Sequence, residues 1–298
     1  MHSEAEGGAH DEATRDFLAA RPQLFGMAYR VLGSAVEAED IVQEAWLRWQ
    51  NADRANIVEP TAFLTTVTTR LAINFAQSAR MRRESYVGPW LPEPVDTGPD
   101  PQLGAERAEA LGLAVLFLLE KLNPVERAAY VLREAVDYPY KEVAGILETS
   151  EANTRQLVSR ARKHVAAERR ERVSRADHRR LMEVFLAAAR TGDLAALESV
   201  LAADVVSYTD GGGMRGASKF PVVGRLHVSK YLAAFAPRFW PPLEIRWVEA
   251  NAQPAVLVSA GADAVALLCV DVSVDGIDRI LWVLNPAKLA PYVASLSG

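Results

Sequence analysis

Three sets of side chains could do chemistry, and the first is a cluster of donors. Arg155, Gln156, Ser159, Arg160 and Lys163 lie within one short segment that opens with Asn153. Arginine and glutamine can each make paired hydrogen bonds to guanine and adenine edges in the major groove, while Lys163 and Arg162 suit phosphates. The second set is two acids and an amide: Asp40, Glu44 and Gln43 surround Leu47. Acids around an exposed leucine suit protein docking, because an apolar centre with a polar rim is how such surfaces are built. The third set is Asp210, His227 and Asp271, possible proton-transfer groups, with Arg215, Trp240, Trp247 and Trp282 as possible lining. Spacing alone does not bring these together, and His227 in GRLHVSKY reads more readily as a surface residue than as a base. The DGGG run at 210–213 lacks the Lys-Ser/Thr of a phosphate-binding loop, and no metal-ligand spacing occurs.

Each set needs an element to position it. On a helix, Thr154, Leu157, Val158, Ala161 and Val165 share an inward face, with Ala152, Gln156, Ser159 and Lys163 opposite and Arg155 and Arg160 beside them. The preceding YKEVAGIL–ETS makes the pair a helix-turn-helix, with Thr149-Ser150 as the cap. Glu148 stands where such turns usually carry glycine, so it is expected to avoid a left-handed conformation. An ordinary amphipathic helix is the alternative reading. Residues 36–49, VEAEDIVQEAWLRW, place Ala38, Ile41, Val42, Ala45, Trp46 and Trp49 on one apolar face. A solvated acidic helix would account for the other face equally well. A docking role is favoured because the chain elsewhere carries basic segments suited to nucleic acid, which an acidic helix would repel.

Composition narrows the field. With 298 residues, half of them hydrophobic and 24% charged, the chain can build two or three domains. No apolar run approaches the ~18 residues of a membrane span, and the polar start, MHSEAEGGAHDEATRD, lacks a signal-peptide core. A single cysteine, Cys269, builds neither a disulfide framework nor a zinc site. A cytoplasmic protein without metal or cofactor is expected. The net charge of −5 is locally reversed: between Arg155 and Arg180, ten Lys/Arg face three acids.

Taken in order, residues 1–12 read as a disordered leader and FLAARPQLFGMAYRVLG as a helix ended by Gly33. Pro60 opens a third helix through Arg83, whose threonines at 61–69 lower its propensity, so that packing must hold it. It leaves Arg70, Asn74, Gln77, Arg80, Arg82 and Arg83 available to solvent or phosphate. Residues 85–106 form a linker rich in proline and glycine; within it Trp90-Leu91-Pro92-Glu93-Pro94 is too apolar to stay in water and should dock. Residues 107–122 read as helix, Asn123-Pro124 starts another, and 169–180 is expected to be a helical connector. Beyond it come helices at 178–191 and 194–201. Strands follow at 205–209, 243–249, 255–260, 264–272 and 279–284, a pattern of helices then antiparallel strands typical of an α+β cone.

AEDIVQEAWLRW resembles the polymerase-binding helix of the extracytoplasmic-function (ECF) sigma factors, with Asp40, Gln43 and Glu44 matching that motif. SRARK at 159–163 resembles the end of their recognition helix. The resemblance implies a multidomain fold: a helical σ2 domain over 13–84 and a helix-turn-helix σ4 domain over 107–172. It implies docking on core RNA polymerase, through the β′ clamp coiled coil and β flap, and contact with promoter DNA. The third helix would grip the melted minus-10 strand and the recognition helix would read the minus-35 element. Asn74 and Gln77 depart from the family's usual Asp and Arg. GDLAALESVLAADVVSYTDGGG at 192–213 resembles the opening of a SnoaL/NTF2-like domain, which would occupy 173–298. One subgroup of the family carries such a domain together with WLPEP, a DGGG loop and an NP-x-KL tail.

All three motifs are present here. They imply a regulatory interface of Trp90, Leu91, Pro92, Glu93 and Pro94 with Asp210, Gly211, Gly212, Gly213 and Arg215, and with the tail Asn285, Pro286, Lys288 and Leu289. Glu93 is expected to meet Arg215 or Lys288. The expected function is promoter-specific transcription initiation modulated by the C-terminal domain. A ligand-sensing one-component regulator and an enzyme with a cone active site are the alternatives. Whether the cone takes a small molecule stays open.

Overall fold

The structure is a computed structural model and describes residues 2–97, 112–168, 170, 171 and 173–296. The chain divides into two compact units, Met1–Arg82 with Leu118–Ala167 and Arg83–Phe117 with Glu168–Gly298.

In the first unit, α1 (His2–Leu32) stops where Gly33 takes φ 68° and returns its N–H to the Tyr29 carbonyl. Its helical backbone from His2 onward corrects the expected leader. The side chain of Ser34 accepts from the Glu37 N–H at 3.1 Å and caps α2 (Ala35–Gln50). Trp49 is fully buried, donates to the Ala13 carbonyl at 2.9 Å and packs its ring 5.7 Å from Phe63. α3 (Pro60–Glu84) buries Thr65, Thr68 and Thr69 completely. Thr69 returns its hydroxyl to the Thr65 carbonyl at 2.7 Å, which lets a weak helix former sit in a packed helix.

α4 (Leu113–Leu119) crosses from one unit into the other along the chain. The expected helix over 107–122 is therefore observed only over that span; residues 98–111 lie outside the described residues. Asn123 caps α5 (Pro124–Glu134) through the Glu126 N–H, and α6 (Tyr140–Ile146) and α7 (Glu151–Glu168) complete the helix-turn-helix.

In the second unit, residues 170, 171, 173 and 174 are not helical, contrary to the expected connector, because Ser174 is the cap that starts α8 (Arg175–Thr191). α9 (Leu194–Val200) follows the left-handed Gly192. Then come β1 (Leu201–Asp210), β2 (Val222–Val223), α10 (Arg225–Phe239), β3 (Glu244–Ala250), β4 (Gln253–Ala260), β5 (Asp263–Ser273), β6 (Gly276–Val283) and α11 (Pro286–Ser295). The sheet order is β2-β1-β6-β5-β4-β3. The expectation of antiparallel strands holds except at β1–β6, which pair in parallel. These neighbours are joined by a long crossover, the connection parallel pairing requires.

Both faces of the sheet are buried, so its strands read as nearly continuous apolar runs. Ala266, Leu268, Val270, Ile280 and Trp282 face α8, α9 and α10, with Phe185, Trp240 and Met182 in the same core. Leu267, Cys269, Leu281 and Val283 face the other way, under Leu91, Leu113, Leu289 and Tyr292. The linker thus supplies part of a sheet face's cover.

Candidate nucleic-acid and docking sites

The helix-turn-helix turns on a strained residue. Glu148 has φ 52°, so the expectation that it avoids the left-handed region is overturned. Thr149 donates to the Ala144 carbonyl at 3.0 Å and Glu148 to Gly145, the pair of hydrogen bonds that closes a helix through a left-handed residue. A non-glycine residue there costs roughly 1–2 kcal/mol. The offset comes from Arg70, which pairs with the Glu148 carboxylate at 3.0 Å and donates to the Ile146 and Gly145 carbonyls at 3.1 and 3.3 Å. Arg70, read as a minus-10 contact, is thus occupied in this structure as the C-cap of α6.

On α7, Thr154, Leu157, Val158, Ala161 and Val165 are buried, and Asn153, Arg155, Gln156, Ser159, Arg160 and Lys163 are exposed. Ser150 accepts from the Asn153 N–H at 3.1 Å, and Asn153 donates to Thr149 at 2.9 Å. The arginines are held on carboxylates: Arg155 on Glu151 at 2.5 Å, Arg160 on Glu126 at 3.0 Å and Arg162 on Glu134 at 2.6 Å. The Glu134 hydrogen bond raises the Arg162 pKa further. Arg155 also lies 4.4 Å from the Tyr140 ring centroid. Gln156, Ser159 and Lys163 present their side chains directly to solvent.

On α2, Ala38, Ile41, Val42, Ala45 and Trp49 are buried, Trp46 is half-buried, and Asp40 and Gln43 are exposed. Leu47 is 49% exposed among them, and Glu44 pairs with Arg48 at 3.1 Å. A groove of about 380 Å³ lies alongside, lined by Phe17, Leu18, Gln43 and Trp46 among others. On α3, Asn74, Gln77 and Arg80 are exposed; the side chain of Arg82 lies outside the described residues. Arg83 stacks on Trp90, 3.7 Å from the ring centroid.

In the second unit the three motifs meet at Asp210, which is fully buried. Its carboxylate accepts from the Leu91 N–H at 2.9 Å, the Gly212 N–H at 3.3 Å and the Tyr86 hydroxyl, and pairs with Lys288 at 2.7 Å. Lys288 also donates to the Leu91 carbonyl and lies 3.9 Å from the Trp90 ring centroid, so that ring has a cation near it from both Arg83 and Lys288. Asn285 donates to the Tyr86 hydroxyl at 2.8 Å and caps α11 through Ala287. A Cβ on Gly212, at φ 57°, would meet the Asn285 amide at 2.8 Å, so the loop needs glycine there. Burial, then the hydrogen bond to Asp210, holds the Tyr86 phenol well above its usual range and keeps it a donor. Burial lowers the Lys288 pKa, and Asp210 opposes that shift.

Pro92 and Pro94 are buried and Leu289 sits in the same core. Arg215 is exposed with no ion pair among the described residues; of the two cations expected to meet Glu93, it is Lys288 on which the Glu93 charge acts. A second anchor was not foreseen. Asn251, at a left-handed turn, exchanges hydrogen bonds with Val95 at 2.9 and 3.2 Å, and Ala252 donates to Thr97 at 2.6 Å. Tyr86 and Asn251 carried no motif signal, although Tyr86 lies only four residues before Trp90.

The proton-transfer candidates do not converge. Asp210 is committed to Lys288, Asp271 pairs with Arg279 at 2.7 Å, and exposed His227 places its Nδ1 3.2 Å from the Val223 carbonyl. Trp240 and Trp282 are core residues 6.2 Å apart, while Trp247 is only partly buried against that core, with Arg179 over its ring.

Residues 17–82 match the Sigma-70 region 2 family and residues 112–165 the Sigma-70 region 4 family. The chain is 41% identical over 233 residues to the ECF RNA polymerase sigma factor SigJ of Mycobacterium tuberculosis, covering 76% of this chain and 74% of that protein. It is 30% identical over 295 residues to that organism's probable ECF RNA polymerase sigma factor SigI, covering 97% and 99%. The crystal structure of the M. tuberculosis sigma factor SigJ superposes with a TM-score of 0.75 at 34% identity, over 93% of this chain and 98% of that one.

Proposed function

The chain belongs to the ECF RNA polymerase sigma factors, and from that membership we propose how its parts divide the work of promoter-specific transcription initiation. Core RNA polymerase and promoter DNA are its partners, and the cytoplasm, where polymerase works, is its place of action. No described helix is long and apolar enough to cross a membrane. The protein supplies binding, orientation and sequence choice, and polymerase supplies the chemistry.

The observation that carries the docking assignment is Leu47, half exposed between Asp40, Gln43 and Glu44 on a helix that buries Ala38, Ile41, Val42, Ala45 and Trp49 on its other face. An exposed leucine with an acidic rim is a surface awaiting a basic and apolar partner, which we assign to the β′ clamp coiled coil. α7 reads the minus-35 element with Gln156, Ser159, Arg155 and Arg160, and Asn153 and Lys163 fix its register. Asn74, Gln77 and Arg80 serve the melted minus-10 strand, and Arg70 joins them once it leaves the α6 terminus. The C-terminal domain modulates this activity by holding the linker. Leu91, Asp210, Asn285 and Lys288 form the clasp, which shortens the free tether between the two DNA-binding parts.

Reversing Asp40 and Glu44 to Lys tests the assignment. Capture of core polymerase by the tagged full-length chain should be lost while its circular dichroism spectrum is retained. Undiminished capture would remove the docking role from this helix.

A further inference from the structure

The stretch from Gly211 to Leu243 contains Arg215, Lys219, Arg225, Lys230 and Arg238 and not one Asp or Glu, in a chain whose net charge is −5. All five cations are exposed, and none makes an ion pair among the described residues. Elsewhere arginines are neutralised locally, as Arg155, Arg160, Arg162 and Arg170 are by carboxylates within 3.5 Å. Stability does not explain the arrangement. Arg225 opens α10, where the helix dipole disfavours a cation and no first-turn acid offsets it. Phe220, beside Lys219 at the sheet-edge strand β2, is 78% exposed.

We propose that this surface is a further nucleic-acid contact, binding the sugar-phosphate backbone of duplex promoter DNA without reading its sequence. It rests on the sigma-factor reading, because DNA is the polyanion that a sigma factor meets. Along α10, Lys230 and Arg238 share the outward face with His227 and Ala234, opposite buried Val228, Leu232 and Ala236. Fifteen residues of helix extend about 22 Å, the axial rise of roughly six phosphates on one strand. A membrane fits less well: Leu226 and Phe235 fall on opposite flanks of the outward face of α10, so the helix presents no apolar stripe to a bilayer.

The test is fluorescence anisotropy of the full-length protein on a labelled random-sequence duplex over a range of salt. Replacing Lys219, Arg225 and Lys230 together by Ala should flatten the slope of log K against log salt by about two to three, one phosphate contact per side chain. The variant with Lys219→Arg, Arg225→Lys and Lys230→Arg should keep the wild-type slope. A slope unchanged in the Ala variant, with the thermal midpoint retained, overturns the proposal. So does a result in which that variant loses only its binding to phosphatidylserine vesicles. A wild-type chain that binds no duplex at any salt overturns it too, and polymerase capture then decides separately whether the sigma reading survives.

Discussion

In the recognition helix, Arg155 and Arg160 each lie on a carboxylate that water also reaches, whereas Lys288 and Asp210 meet where both side chains are almost wholly excluded from it. The first kind of pair contributes at most about 1 kcal/mol and can be exchanged for a phosphate or a base edge at little cost. The second cannot be opened on one side without leaving a charge uncompensated in a poorly solvated site. On the role proposed for α7, exposed pairs keep its outer face ordered yet available to DNA, and a buried pair locks a linker to a sheet. A cation and a carboxylate serve opposite purposes according to burial.

The largest break in this contrast should come from Lys288→Met. It removes the cation and leaves the Asp210 carboxylate with its N–H and hydroxyl donors only, a loss of about 3–5 kcal/mol. Urea unfolding of the full chain, followed by tryptophan fluorescence, measures it. The double variant with Asp210→Asn should recover part of the loss. Equal stability of Lys288→Met and wild type would mean that the pair does not hold the linker.

Next is Leu91→Ala, a truncation in the core under the sheet, expected to cost about 2–5 kcal/mol. Cys269 lies in the same core, and burial pushes its thiol pKa up to about 12. Native protein near neutral pH should therefore label slowly with a thiol reagent, since thiolate is the reactive form. Leu91→Ala should speed labelling by opening the linker cover. Identical labelling rates would show that the cover does not open locally.

The smallest effect belongs to Glu126→Gln, whose partner Arg160 is exposed. Freeing Arg160 should change stability by less than about 1 kcal/mol and strengthen binding to a minus-35 duplex by a few-fold in anisotropy titrations. Weaker binding would mean that Glu126 positions Arg160 for DNA rather than occupying it.

Much of the helical unit was legible because its signals are local. Gly33 stops a helix, Asn123-Pro124 starts one, and the apolar stripes of α2 and α7 repeat at helical spacing. The strand run was legible for the same reason, whereas the parallel β1–β6 pairing depends on partners far apart in the chain. Trp90 and Leu91 announced docking by their apolarity, but Tyr86 and Asn251 gain their roles only from groups distant in sequence. Glu148 misled because its left-handed strain is offset by Arg70, a residue of another helix. The carboxylates under Arg160 and Arg162 likewise lie outside their own helix.

The central claim is that this chain gives core polymerase its promoter choice. Run-off transcription with purified core polymerase and fragments of the source genome tests it most directly. Discrete transcripts should appear only when the protein is added, and should vanish when Asp40 and Glu44 are both changed to Lys. The same transcripts from core polymerase alone, or undiminished transcripts with the reversed helix, would contradict the account.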